Sequence, residues 1–303
     1  MDLKLNARPC PLCGSEDDSA VLADQMLDTD RLDQFAFSSR KLPEYMHYRL
    51  VVCPVCELVY ANPAPAPEAL AVGYREAAYD SSEEARYAAA TYGRLVASIM
   101  SRLPDKDSAL DIGAGDGAFL ERLLDLGFRD VAGVEPSRAP IEAAKPGIRA
   151  LIRQGLFSEK DFSGERFSLI TCFQTIEHLH DPLEVGRSIC SLLKPGGAAI
   201  FVCHNRQALS ARLLGRKSPI FDIEHLQLFS RASLESFSSK CGFQQVEVNL
   251  VVNRYPVRYW ARLAPIPAGI KAKLLGKIRT GWPGSLVLAL PAGNLAAIAY
   301  KAR

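Results

Sequence analysis

The run Asp111-Ile112-Gly113-Ala114-Gly115-Asp116-Gly117 places an acid and three alternating glycines at the end of an apolar stretch. Glycine admits positive φ and lets a backbone approach a ligand more closely than any Cβ allows. The helix expected from Ala118 would aim its free N–H groups at the same ligand. A loop that grips pyrophosphate spaces its glycines as G-x-G-x-x-G and holds its acid back by about 20 residues. Here the third glycine comes one position early and Asp111 precedes the first, which repels pyrophosphate and suits a ligand carrying an ammonium and a sulfonium. Asp111 is therefore read as orienting the ammonium end, and Gly113, Gly115 and Gly117 as the backbone approach. Asp116 fits either a ligand contact or a charge at the helix start. Glu135 follows 18 residues after Gly117, at the end of the expected strand 130–134. A carboxylate there can accept hydrogen bonds from both hydroxyls of a ribose.

A second chemistry is written in cysteine. Cys10-Pro11-Leu12-Cys13 and Cys53-Pro54-Val55-Cys56 are two C-x-x-C knuckles separated by 39 residues. Four thiolates make a closed tetrahedral set of the structural zinc type, and such pairs in a chain with no secretion signal favour metal over two disulfides. Gly14 supplies backbone freedom after the first knuckle; Glu57 stands at the equivalent place after the second and should cost a little strain. A filled ligand set leaves no open position, so this Zn2+ would hold a small ribbon rather than do chemistry. The ribbon, with an expected strand at 45–52, should end near Pro67, giving a zinc-ribbon domain at 1–67 and a second domain at 68–303. Cys172, Cys190, Cys203 and Cys241 sit in apolar stretches and are read as core.

A third chemistry is proton transfer. Of the five histidines, His178, His180, His204 and His225 all fall just past the fourth or fifth expected strand. Two of them stand in Glu-His pairs, Glu177-His178 and Glu224-His225. An imidazole near neutrality can take a proton from a hydroxyl or an activated C–H, so His225 is read as a general base, with Glu224 or His178 fixing its tautomer. A Glu-His pair that only pins its loop is the alternative.

The elements that must position these groups alternate along the chain. Strands are expected at 109–112, 130–134, 148–153, 167–173 and 198–203, with a helix at 181–193 and the turn Lys194-Pro195-Gly196-Gly197 between the last two strands. Before them come a short aromatic-bearing segment at 70–79 and an amphipathic helix at 81–103. Tyr74 and Tyr79 could reach the pocket, with packing under the ribbon as the favoured use. A sixth strand is expected at 243–252, and a pair of closing strands within the uncharged stretch 280–300, which is also long enough to span a bilayer. The glycine run and the Lys-Pro-Gly-Gly turn resemble motifs of class I S-adenosylmethionine-dependent methyltransferases. The chain is most similar to a branch with an N-terminal zinc ribbon found among enzymes of sugar and polysaccharide biosynthesis. That resemblance implies an α/β fold, with a doubly wound, Rossmann-like seven-stranded sheet and a small N-terminal zinc ribbon. It implies S-adenosyl-L-methionine as cofactor, with Leu156 and Phe157 near the adenine and Phe173 and Gln174 completing the cofactor set. It also implies that His178, Glu224 and His225 line an acceptor pocket. The chain departs from the sugar C-methyltransferases at Asp222-Ile223 and in lacking a further C-terminal domain.

The net charge of +2 conceals an asymmetry, because residues 248–303 hold nine of the 36 basic side chains and none of the 34 acidic ones. An insertion near 253–284 carries Arg254, Tyr255, Arg258, Tyr259, Trp260, Arg262, Lys271, Lys273, Lys277, Arg279 and Trp282. Arginines among aromatics suit a diphosphate, an anionic bilayer or RNA, and residues 263–278 could share apolar and basic helix faces. A small-molecule or lipid-linked anionic acceptor is the expected partner, with peripheral membrane contact through this basic C-terminal segment. An RNA methyltransferase gripping its substrate with ribbon and tail is an alternative, although the absence of an Asn-Pro-Pro-Tyr-like motif after the fourth strand argues against base N-methylation and nucleic acid is not the expected partner. A quinone-type O-methyltransferase holding a divalent metal is a further alternative, although Gln174 replaces a carboxylate expected there; a non-catalytic cofactor-binding scaffold is another. No secretory h-region opens the chain, so the expected location is cytoplasmic, peripherally at the inner face of the membrane. Nothing in the sequence assigns an oligomeric state.

Overall fold

The computed structural model describes residues 4–33, 35–38, 45–264, 266, 269, 271, 273, 275–276 and 282–303. Its main sheet has seven strands: β1 (Ser108–Ile112), β2 (Asp130–Glu135), β3 (Ile152–Gln154), β4 (Phe167–Phe173), β5 (Leu193–His204), β6 (Gln245–Pro256) and β7 (Val287–Tyr300). They lie in the order β6-β7-β5-β4-β1-β2-β3. β1 to β5 pair in parallel, whereas β7 runs antiparallel between β5 and β6. Parallel strands need crossovers on the sheet faces, so β4 is covered on both sides and every residue in it is buried. The expected α/β, doubly wound, seven-stranded fold is thus observed. The carboxyl ends of the strands form one rim, where ligands bind in such sheets.

The helices that bear on that rim are α1 (Pro67–Glu76), α2 (Ser82–Ile99), α3 (Ala118–Asp125), α4 (Pro182–Leu192), α5 (Leu209–Leu214), α6 (Arg231–Lys240) and α7 (Val257–Leu263). Asp181 caps α4 by accepting from the Glu184 N–H, with Pro182 at the first turn. Ser230 and Ser233 form a reciprocal capping box on α6.

Three expectations are corrected. The third strand is Ile152–Gln154 rather than 148–153, because Pro146 begins the helical turn Pro146–Arg149, which buries Ile148. The strand expected at 45–52 is reduced to Leu50–Val52; Tyr45 has φ 58°, and His47 makes only an isolated bridge to Met26. The closing pair expected at 280–300 is one strand, β7. Its Pro291-Ala292-Gly293 bulges against β6, where the register jumps between Val251 and Asn253, instead of turning the chain back. The helix expected at 263–278, together with Lys277 and Arg279, falls in part outside the described residues. Among the described residues no helix is long and apolar enough to cross a membrane.

The N-terminal ribbon builds an antiparallel sheet from Val21–Ala23, Leu50–Val52 and Val59–Ala61, and its fourth strand, Gln227–Leu228, comes from the C-terminal half of the chain. Arg8 reinforces this junction by donating to the carbonyls of Ala61, His180 and Leu226. Cys10, Leu12, Cys53, Leu58 and Tyr60 share one buried cluster with Leu110, Ile112 and Phe229, so ribbon and main sheet have a continuous core.

Candidate active site

One cavity of about 700 Å3 runs along the rim. Its first half is the glycine loop. The Gly113 and Ala114 N–H groups donate to the Val134 carbonyl, which ties the loop to β2. A Cβ at Gly113 would collide with the Thr175 hydroxyl. Gly115, with φ 56°, donates its N–H to Glu135 Oε2 at 2.9 Å, while Glu135 Oε1 accepts from the Ser137 N–H at 2.8 Å. A carboxylate held in this way can accept from ribose hydroxyls. Asp111 is buried and accepts from the Thr171 hydroxyl at 2.6 Å. Leu156, Phe157, Phe173 and Gln174 border the same space, with Phe173 wedged between Tyr92 and Phe119. Gln174 is held at φ 51° with a buried Nε2 that has no partner among the described residues. An adenosine carrying a short amino-acid arm fits this donor set. Gly117 is a correction: it does not border the cavity, and a Cβ there would strike Ile148, so its work is to pack α3 against the turn before β3.

Gly115→Ala isolates the role of the cradle. An added Cβ meets no protein atom within 4 Å, so the fold should survive, while the left-handed φ costs about 1 kcal/mol and the methyl opens onto the cavity. Calorimetric titration with S-adenosylhomocysteine should show affinity weakened by about tenfold or more. Unchanged affinity would contradict the placement of the cofactor.

The second half of the cavity gathers His178, His204, Glu224 and His225. The His225 ring lies 5.0 Å from that of His178 and 4.8 Å from that of His204, centroid to centroid. His225 Nδ1 is 2.9 Å from the Ile220 carbonyl. A carbonyl only accepts, so Nδ1 carries the proton and the lone pair sits on Nε2. The tautomer is therefore fixed by a backbone carbonyl and not by Glu224 or His178, which is a second correction. Those two serve each other: His178 Nδ1 is 3.1 Å from the Tyr74 hydroxyl and 3.7 Å from Glu224 Oε2. Tyr74 thus meets both sequence readings, reaching the site while packing edge-on against Phe37 of the ribbon, 5.4 Å between centroids. His204 bonds Asn294 Oδ1 through Nδ1, and burial pushes its pKa down to about 4, leaving it neutral. Asn253 and Asn294 also face the cavity and were missed, since their residue type carries no spacing signal; Tyr255, Tyr259 and Trp260, named with the basic insertion, line it too. Two cations of the basic insertion are paired within the chain, Arg258 with Glu83, and Arg262 with Glu84 at 2.7 Å, at the start of α2.

Beneath the histidines lies Glu177, fully buried. Its Oε1 accepts from the His204 N–H at 3.2 Å, and its Oε2 has no partner among the described residues. Burial raises its pKa from 4.5 to about 8. The folded state therefore holds this proton where the unfolded chain releases it, and the resulting stability, complete below the unfolded pKa, is lost as pH rises through the folded one. Denaturant midpoints of the wild type should fall between about pH 4.5 and about pH 8, and Glu177→Gln should flatten that slope. Equal slopes in both proteins would contradict it. Donor atoms of Glu177, His178 and His225 all lie within 4.8 Å of one another, a set that could also hold a divalent cation.

The knuckle sulfurs converge as well: Cys10 Sγ and Cys56 Sγ are 3.5 Å apart, Cys13 Sγ and Cys53 Sγ 3.4 Å, and all four lie within 4.8 Å of one another. Zn–S bonds of about 2.3 Å in a tetrahedron place sulfurs about 3.8 Å apart, so the four fit one ion. Gly14 and Glu57 both take left-handed φ, 75° and 59°, and both knuckles close by the same N–H to cysteine carbonyl bond.

A family model described as a methyltransferase domain matches residues 83–248, more than half of the chain. The chain belongs to this methyltransferase family. The matched span runs from α2 through β6 and includes both halves of the cavity. Among curated proteins, the methyltransferase domain is similar to a ubiquinone biosynthesis O-methyltransferase of Serratia proteamaculans, 30% identical over 105 residues, covering 33% of this chain and 43% of the relative. It is also similar to one of Marinobacter nauticus, 33% identical over 110 residues and covering 34% and 46%. The chain thus spans less than half the length of the curated relatives it matches. Among solved structures, a SAM-dependent methyltransferase of Archaeoglobus fulgidus aligns over 70% of this chain and 94% of its own, with 16% identity and a TM-score of 0.46.

Proposed function

We propose that the chain transfers a methyl group from S-adenosyl-L-methionine to a small-molecule or lipid-linked acceptor, with Zn2+ held structurally by Cys10, Cys13, Cys53 and Cys56. The observation that carries this reading is that the cradle of Gly113, Gly115 and Glu135 and the cluster of His178, Glu224 and His225 open into one cavity. The bound cofactor supplies the reactive methyl; the chain aligns the acceptor and manages a proton. His225 Nε2 takes the proton from the acceptor hydroxyl or activated C–H as that atom attacks the methyl carbon in line. Bound there, S-adenosyl-L-methionine would supply an electrophilic methyl on a sulfonium whose sulfur would leave as a neutral thioether. Asp111 orients the ammonium end and Glu135 the ribose.

For the acceptor, a polar band of His204, Asn205, Asn253 and Asn294 stands beside the stacked rings of Tyr255, Tyr259 and Trp260. Hydrogen-bonding groups next to aromatic faces suit a hydroxyl-rich ring, so a glycan acceptor is favoured. A second reading, O-methylation of a phenol, is supported by the names of the curated relatives and by the Glu177, His178 and His225 donor set, where a cation would acidify the hydroxyl. Transfer of labelled methyl into a host extract, divided into soluble anionic metabolites, lipid-linked glycans, quinones and RNA, tests the proposal. Label in a glycan fraction supports the first reading, and label in quinones the second. Label in RNA alone, or in no fraction, counts against both.

A further inference from the structure

We infer that the mouth of the cavity is a docking surface for an anionic bilayer, built by α5 and the outer end of β7. α5 has two faces. Ala211 and Leu214, with Ser218 just beyond, line the cavity, while Leu209 and Leu213 are turned out, 70% and 75% exposed. Spaced four apart, these two leucines lie on one side of the helix. Around them stand Arg212, Arg216 and Lys217, all exposed, and no Asp or Glu occurs anywhere from 185 to 221. α5 meets β7 at Gly293, where an added Cβ would sit 3.1 Å from Ser210 Oγ and 3.3 Å from Ala208 Cβ. From that contact the chain runs outward along β7 through Leu290, Leu288 and Val287 to Leu286 just before it, each of them exposed. These span roughly 13 Å at about 3.3 Å per residue.

Exposed aliphatic side chains ringed by lysine and arginine match the chemistry of an anionic membrane surface: leucines enter between headgroups and the cations answer lipid phosphate. Single-stranded RNA would call for outward aromatic rings as base platforms. Here Tyr255, Tyr259 and Trp260 instead pack on one another and line the cavity. With no described helix able to cross a bilayer, the association is peripheral. Because the inner face of α5 is cavity wall, an acceptor held in the bilayer would pass to His225 without leaving apolar cover; that last step rests on the methyl-transfer reading, whereas the surface does not.

The test is cosedimentation of the full chain with phosphatidylcholine vesicles and with vesicles also containing phosphatidylglycerol. It compares the wild type with Leu209→Ser/Leu213→Ser and Arg212→Ala/Arg216→Ala, and S-adenosylhomocysteine titration confirms that each variant keeps its fold. Expected is binding of the wild type to the anionic vesicles only, reduced by salt, weakened roughly thirtyfold by loss of the two arginines and largely abolished by loss of the two leucines. Wild-type binding that both variants retain, absence of binding to anionic vesicles, or binding to single-stranded RNA in place of vesicles would overturn the inference. Vesicle binding is read without turnover, so its failure leaves the methyl-transfer reading intact.

Discussion

His225→Ala should lower turnover by about 10²- to 10⁴-fold while leaving S-adenosylhomocysteine affinity within a few-fold of wild type. The two readouts separate because His225 touches the cofactor half of the cavity only through the acceptor space. Its Nδ1 proton is committed to the Ile220 carbonyl, so the lone pair on Nε2 is the group that alanine removes. Glu224→Gln is the comparison that distinguishes base from buttress. Glu224 lies 3.7 Å from His178, and it does not set the His225 tautomer. Its amide should therefore cost far less than alanine at His225. Full turnover in His225→Ala would end its assignment as base, and equal losses in the two variants would make the loop, not the imidazole, the requirement.

Cys10→Ser should reduce the zinc content from one ion per chain to a residual fraction and lower the melting temperature by roughly 10 °C or more. Structural zinc in small domains is worth on the order of 10 kcal/mol, and a loss of about 6 kcal/mol or more shifts a chain of this size by that amount. The effect should not stay in the ribbon. The Ala61 N–H donates to the Leu226 carbonyl, and Val59–Ala61 pairs with Gln227–Leu228, immediately after the Glu224-His225 pair. Loosening the knuckles therefore loosens the loop that carries His225, and turnover should fall more than cofactor affinity. Metal analysis with thermal denaturation checks both points. A wild type without zinc, or a variant that melts unchanged, would contradict the assignment of the four cysteines to a structural zinc site.

The cofactor half of the site was legible in the sequence because it is local: Asp111 to Gly115 and Glu135 lie on consecutive strands, and their types follow from what a backbone must do near a ligand. Gly117 was misread for the same reason, since alternation cannot tell a glycine facing a ligand from one facing Ile148. The acceptor half was legible only where histidine marked it. Tyr74, Asn253 and Asn294 come from α1, β6 and β7, brought together by sheet order and not by spacing. Pairing across the fold was equally hidden for Arg258 and Arg262, whose acids lie some 180 residues earlier, on α2. The Ile220 carbonyl belongs to this class too, because a backbone acceptor leaves no mark in a sequence. At 280–300, Pro291 and Gly293 read as a turn, but seven residues of β7 paired to β5 hold the chain extended and turn the irregularity into a bulge.

The most direct measurement is calorimetric titration of S-adenosylhomocysteine into the wild type and into Glu135→Ala. Expected is one site per chain in the wild type, weakened by roughly 10- to 100-fold when the carboxylate that faces the ribose is removed. No heat from the wild type, or equal affinity in the two proteins, would contradict the assignment of this cavity to S-adenosylmethionine.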